Sequence, residues 1–207
     1  MRTREPFNAD LPAFDALAAE LAGTEENQDL LRAVALIASS LNRGGTVALC
    51  GNGGSASQAE HFAGELVGRF TMERPALPAI ALTSNSAIVT AIANDYGFDE
   101  VFARQVEAYL GAGDVLVGLT TSGRSRNVVR AFEVARERDA ATVAFVGRAD
   151  DADEVLRAAD VVLAVETDGG TPAVQETHEQ FGHRLCGLVE WALFGERRDS
   201  DGACDPT

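Results

Sequence analysis

Three histidines stand in this chain, and their surroundings are unusual enough to read chemically. His61 follows the glycine-rich turn Cys50-Gly-Asn-Gly-Gly54-Ser55 and lies four residues before Glu65. His178 and His183 share the late segment Gln175-Glu-Thr-His-Glu-Gln-Phe-Gly-His183. A glycine turn carrying a hydroxyl at the start of a helix suits an anion such as phosphate, because uncapped backbone N–H groups and the helix dipole face it. At i, i+4, His61 and Glu65 share one helix face. That spacing can chelate a divalent metal or hold a carboxylate base beside an imidazole; a surface ion pair is the plainer alternative. Gln175 and His183 fall about 80° apart around a helix, so both can face one groove. His178 falls about 140° from His183 and reads as a solvent-facing or partner-contacting position. Phosphate, carboxylate and imidazoles together suggest acid/base chemistry on a phosphorylated small molecule.

A second hydroxyl-rich loop, Thr120-Thr-Ser-Gly-Arg-Ser125, follows another apolar stretch. Either loop alone reads as an ordinary turn with a serine helix cap. Two of them, each after a strand, favour one phosphate site, since open α/β sheets bind ligands at the carboxyl ends of strands. Gly51-Asn-Gly-Gly-Ser-Ala56 lacks the dinucleotide spacing G-x-G-x-x-G, so no nucleotide cofactor is expected.

The elements that must position these residues follow from hydrophobic period. Phe14, Leu17, Leu21 and then Leu30, Leu31, Val34, Ile37 and Leu41 recur at helical spacing, predicting an N-terminal helical pair over 11–42. Strands are expected at 46–50, 76–82, 114–119, 141–146 and 160–165. Helices are expected at about 55–68, 86–93 and 98–110, from the second loop to 137, and over 172–195. Apolar strands alternating with helices imply a parallel sheet covered on both faces. The fold class is therefore α/β, a three-layer α/β/α sandwich on a five-stranded parallel sheet. Residues 1–195 read as one domain, and the polar segment 196–207 as an acidic, disordered tail.

Composition excludes several functions. The 207 residues carry a net charge of −15, which disfavours nucleic acid as a partner. All 17 basic residues are arginine, so no mechanism can use a lysine amine, whether as Schiff base or as phosphate clamp. Cys50, Cys186 and Cys204 are too few and too irregular for a disulfide framework or a paired-cysteine zinc site. Cys50, ending a strand, reads as a small buried residue. No apolar run approaches a membrane span, and the first residues lack a signal core, so a cytoplasmic location with no membrane partner is expected.

The motifs Cys50-Gly-Asn-Gly-Gly-Ser55, His61-Phe-Ala-Gly-Glu65-Leu-Val-Gly-Arg-Phe70, Ala93-Asn-Asp-Tyr-Gly-Phe98, Thr120-Thr-Ser-Gly-Arg-Ser125 and Gln175-Glu-Thr-His178 resemble those of the phosphoheptose isomerases, within the sugar isomerase (SIS) fold. The likeness runs in order from about residue 10 to 195. It implies interconversion of sedoheptulose 7-phosphate and D-glycero-D-manno-heptose 7-phosphate through an enediol(ate), by a homotetramer with sites between subunits. Carried over residue by residue, it makes Glu65 the base and His183 the acid. It places one zinc per subunit on His61, Glu65, Gln175 and His183. It gives the phosphate to Ser55, Thr120, Ser122 and Ser125. The sugar falls to Asn52, Gly53, Gly54, Asn94, Asp95 and Thr121, with Glu65 and Gln175 also touching substrate. The resemblance carries a tension of its own, because Glu65 and His183 cannot freely exchange protons while both hold a metal.

The chain departs from the family pattern at Gly64 and at Thr171-Pro-Ala-Val-Gln175, which lacks the arginine often found two residues before that glutamine. The second departure lies at the sugar end and leaves room for another phosphosugar. A non-catalytic SIS protein, binding sugar phosphates as a regulator or a replication initiator as an adaptor, is the other alternative. Such a protein has no chemical reason to keep the Glu65/His183 pair.

Overall fold

The computed structural model describes residues 25–195. Five parallel strands form one sheet in the order β2-β1-β3-β4-β5: β1 Val47–Gly51, β2 Ala79–Ala81, β3 Val115–Thr120, β4 Ala141–Val146 and β5 Val161–Ala164. Among the described residues, seven α-helices surround it: α1 Glu25–Asn42, α2 Gly54–Val67, α3 Ser86–Tyr96, α4 Ala103–Tyr109, α5 Arg126–Glu137, α6 Glu154–Arg157 and α7 Gly170–Phe194. The three-layer α/β/α expectation holds. The first helix of the N-terminal pair and the tail over 196–207 lie outside the described residues.

The period of two along each strand builds two cores. Val47, Leu49, Val117, Leu119, Val143 and Phe145 point to one face and pack against α1, α2 and α7. Ala48, Cys50, Leu116, Ala144 and Val146 point to the other and pack against α4 and α5. The strands are apolar throughout because both faces are covered. No described helix is long and apolar enough to cross a membrane.

The structure departs from the sequence reading in three places. The strand expected over 76–82 pairs only at 79–81; Pro78 has no N–H to add to a ladder. The helix expected over 98–110 is a 3₁₀ turn, Phe98–Glu100, followed by α4. Val101, Phe102 and Ala103, at the junction of the two, are all buried. The short α6 is capped by Asp153, whose side chain accepts from Val155 N; it is too brief to show a period.

Sheet order decides where a ligand fits. From β1 the chain moves outward to β2, then returns to β3 on the other side of β1 and continues to β4 and β5. The carboxyl ends of β1 and β3 are paired neighbours, with Cys50 opposite Gly118 and Gly51 opposite Leu119. The crevice beyond this switch point is where doubly wound sheets bind ligands.

Candidate active site

Two loops leave that switch point side by side. In the first, Gly53 takes φ +58°, a conformation costly for other residues, and turns the chain into α2. No side chain caps α2; Ser55 N and Ala56 N turn back to Asn52 O and Gly53 O, at 3.1 and 3.0 Å, which leaves the positive end of the helix dipole facing the loop. Ser55 is buried at this turn. In the second loop, Thr120 Oγ1 and Ser125 Oγ lie 3.0 Å apart, and Ser122 Oγ accepts from Arg124 N at 3.2 Å. A reciprocal amide pair ties the first loop to the helix that the second loop leads into: Asn52 Nδ2 donates to Asn127 Oδ1, at the start of α5, and Asn127 Nδ2 to Asn52 Oδ1, each at 2.8 Å. The four hydroxyls assigned to phosphate thus stand on adjoining loops. Thr121 and Ser122 also line a cleft of about 440 Å³ with Gly147, Arg148, Thr167 and Thr171.

The imidazole and carboxylate groups come from helix bodies. On α2, His61 and Glu65 are one turn apart, and on α7 so are Glu179 and His183. The helices pack against each other, and the four side chains converge. His61 Nε2 and His183 Nε2 face each other at 2.9 Å, so one carries the hydrogen and the other accepts it. His61 Nε2 lies 3.6 Å from Glu65 Oε1 and 3.4 Å from Glu179 Oε1. His183 Nε2 lies 3.6 Å from the same Glu179 oxygen. Both imidazole side chains are 42% exposed, so the cluster opens to a ligand.

Packing fixes this meeting point. The His183 ring stacks on Phe70, with centroids 5.5 Å apart, and meets the edge of Phe62. Phe62 occupies the space over Gly182, where a Cβ would fall 1.9 Å from the ring. That close approach lets α2 and α7 draw together.

A buried ion pair braces the cluster from behind. Glu190 is fully buried and accepts from the backbone N–H groups of Phe70, Thr71 and Met72 at 2.7, 2.8 and 3.0 Å. Thr71 Oγ1 and Arg74 Nε donate to it as well. Burial pushes the Glu190 carboxyl up, but these donors outweigh it and hold the group below its ordinary 4.5. Arg74 in turn donates to the carbonyls of Glu65 and Leu66, at 2.7 and 2.8 Å. The end of α2 that carries Glu65 and the segment that carries Phe70 are thereby fastened to α7.

The remaining expected residues are placed as follows. Gln175 lies on α7 against Gly54, where a Cβ would come within 2.4 Å of its Nε2, so it faces the first loop. Asn94 and Asp95 are exposed on α3, and the hydrogen bond they make is to each other, at 2.7 Å. Cys50 is buried and its thiol is pushed up to about 12, which excludes a thiolate nucleophile at neutral pH.

His178 corrects the sequence reading. It does point away from His183's partners, but it is fully buried rather than solvent-facing. Its ring stands edge-on to Phe145, and Nε2 lies 3.0 Å from Val146 O. A carbonyl can only accept, so Nε2 carries the hydrogen. Burial pulls its pKa down and the carbonyl only partly offsets this, so His178 is neutral and ties α7 to the end of β4.

Glu179, Gln58, Arg74 and Glu190 escaped the sequence reading. Glu179 carried a signal, since Gln175, Glu179 and His183 form one i, i+4, i+8 row. Arg74 and Glu190 are 116 residues apart and carried none.

A SIS domain model matches residues 14–147. The phosphoheptose isomerase of Thermodesulfovibrio yellowstonii is 49% identical over 170 residues, covering 82% of this chain and 83% of that protein. The chain belongs to the phosphoheptose isomerase family. Solved phosphoheptose isomerases have the same fold. The Francisella tularensis structure superposes with a TM-score of 0.72 at 34% identity, over 91% of this chain and 98% of that one. The Neisseria gonorrhoeae structure gives 0.70 at 37%, over 88% and 94%. The chain is thus a phosphosugar isomerase.

Proposed function

We propose that this phosphoheptose isomerase interconverts sedoheptulose 7-phosphate and D-glycero-D-manno-heptose 7-phosphate in the cytoplasm. The observation that carries the reading is the convergence of Glu65 with His61 and His183, beside paired loops that bear the phosphate-type hydroxyls. Ser55, Thr120, Ser122 and Ser125 hold the phosphate, beside the positive end of the α2 dipole. Binding energy there positions the reacting carbons at the other end. Asn52, Gly53, Gly54, Asn94, Asp95, Thr121 and Gln175 take the sugar hydroxyls.

Glu65 removes a proton from C1 of the ketose. The C–H electron pair forms the C1–C2 double bond, and the carbonyl pair moves onto O2. His183 protonates O2. His183, having given its proton to O2, takes the O1 proton as the C1 carbonyl forms, and Glu65 returns its proton to C2. The step needs a base, an acid and stabilisation of an enediolate oxygen, and no redox cofactor. The nitrogen and oxygen donors that converge here suit zinc or a similar divalent ion. His61 and His183 would supply its imidazoles, and one ion per subunit would polarise the sugar oxygens when bound.

A homotetramer accords with α3, which has no buried residue and leaves Tyr96 and the adjoining Phe98 58% exposed.

The test is turnover across a phosphosugar panel by wild type and Glu65→Gln. The reading expects sedoheptulose 7-phosphate to be the preferred substrate. It expects the variant to lose ~10²–10⁴-fold in rate, as removal of a positioned base does. Preference for another phosphosugar would move the assignment to that substrate, and a variant retaining a tenth of the rate would overturn the base.

A further inference from the structure

The proton transfer does not use His178, yet this residue stands between the two halves of the site. It lies on α7, between Gln175 and His183, with its side chain fully buried. Nε2 donates to Val146 O at 3.0 Å, and Nδ1 is buried with no partner. A buried acceptor left unpaired is a cost that an apolar side chain in the same space would not carry. The bond made through Nε2 is what an imidazole adds at this position.

Val146 ends β4, and the second hydroxyl loop leaves the neighbouring strand beside it. Val146 is the register partner of Thr120, the last residue of β3. Its carbonyl accepts from Val165 N at 3.1 Å as well as from His178, so both of its lone pairs are engaged. Gly147, the next residue, lies so close to the second loop that a Cβ on it would fall 2.3 Å from the Thr121 carbonyl oxygen. Val174, one turn before His178 on α7, comes within 3.8 Å of the same Cβ position. Close-packed groups transmit a displacement from one to the next. A chain of contacts thus runs from α7 through His178 to Val146 and Gly147, and on to Thr120 and Thr121.

We propose that His178 is a positioning residue: without touching substrate, it fixes the span between the loop that holds the phosphate and the helix that carries His183. The proposal rests on the phosphate and proton-transfer assignments made above. A phosphosugar gripped at one end presents its reacting carbons correctly at the other only if that span is fixed, and a misplacement of about 1 Å costs on the order of 10²-fold in rate. The hydroxyls of Thr120, Ser122 and Ser125 stay on their own loop, so grip on the phosphate itself does not depend on His178.

The experiment compares full-length wild type with His178→Leu, His178→Phe and His178→Gln. Leu and Phe remove the donor in two different shapes, whereas Gln can still donate to the Val146 carbonyl. Melting shows that each is folded at the assay temperature. Rates are measured on the phosphosugar that wild type prefers, and inorganic phosphate is titrated as a competing inhibitor. His178→Leu and His178→Phe are expected to lose roughly 10–100-fold in kcat with the phosphate inhibition constant unchanged, and His178→Gln to recover most of that loss. A folded donor-free variant that keeps the wild-type kcat would overturn the proposal. So would a Gln variant as slow as Leu and Phe, or a defect that shows as weaker phosphate inhibition with kcat intact. A wild type that inorganic phosphate does not inhibit would instead refute the phosphate reading, and the positioning role with it.

Discussion

The two halves of the site are built in opposite ways. The phosphate-type hydroxyls sit on loops whose places are dictated by strand register, since Gly51 pairs with Leu119 in the sheet. A neutral amide pair, Asn52 with Asn127, is then enough to join the first loop to the start of α5. The imidazoles and carboxylates sit on helices with no shared hydrogen-bond ladder, so side chains must hold them. Phe62 seated over Gly182 and the buried Arg74–Glu190 pair do so. A backbone-defined half should tolerate side-chain loss, and a side-chain-defined half should not.

Substitutions in the two halves test that contrast. The largest effect is expected at Glu65, where Gln should lower turnover ~10²–10⁴-fold with an unchanged melting curve. Next is Arg74→Ala. It leaves Glu190 buried without its cation, at a cost of about 3–5 kcal/mol, which calorimetry should read as a melting point lowered by roughly 10 °C. Gly182→Ala should follow, because its Cβ would strike Phe62; overpacking of this kind costs about 1–3 kcal/mol. It should lower turnover too, by spreading α2 from α7. The smallest effect is expected where the first loop meets α5. Asn127→Ala removes neutral hydrogen bonds worth about 0.5–1.5 kcal/mol each and should raise KM more than it lowers kcat. If Asn127→Ala proves more damaging than Arg74→Ala, the contrast is wrong.

Acid titration sharpens the same point. Glu190 titrates below 4.5 in the folded chain, so folding gains stability above the unfolded value and loses it as pH falls through the folded one. Unfolding free energy of wild type should therefore drop steeply below pH 4.5, and Glu190→Gln should flatten that limb. His178 adds a shallower slope at higher pH. Its folded pKa lies below 6.5, so the unfolded chain binds the extra proton and stability declines as pH falls from 6.5.

The sheet was legible in the sequence because buried parallel strands are near-continuous apolar runs; β4 fell where Ala141-Thr-Val-Ala-Phe-Val146 predicts it. His61 with Glu65 was legible because one helical turn places them together, while His183, which the family resemblance assigns to the same site, stands beside His61 only once α2 and α7 are packed. Glu179 obeys the same spacing but looks like any solvated helix glutamate until Gln58 and the two imidazoles are seen around it. The bracing pair could not be read at all, since no local period links Arg74 to Glu190. His178 shows where helical angles stop: they place a side chain around an axis but do not reveal that α7 is covered on a second flank by Phe145 and the end of β4.

The central claim is that Glu65 carries a proton between C1 and C2 of a heptose phosphate. The direct measurement is isomerisation of sedoheptulose 7-phosphate in D₂O, with NMR detection of deuterium on carbon. Wild type should place deuterium at C2 of the aldose and exchange it into C1 of the ketose, while folded Glu65→Gln should do neither. Exchange by Glu65→Gln at a rate near wild type would contradict the account.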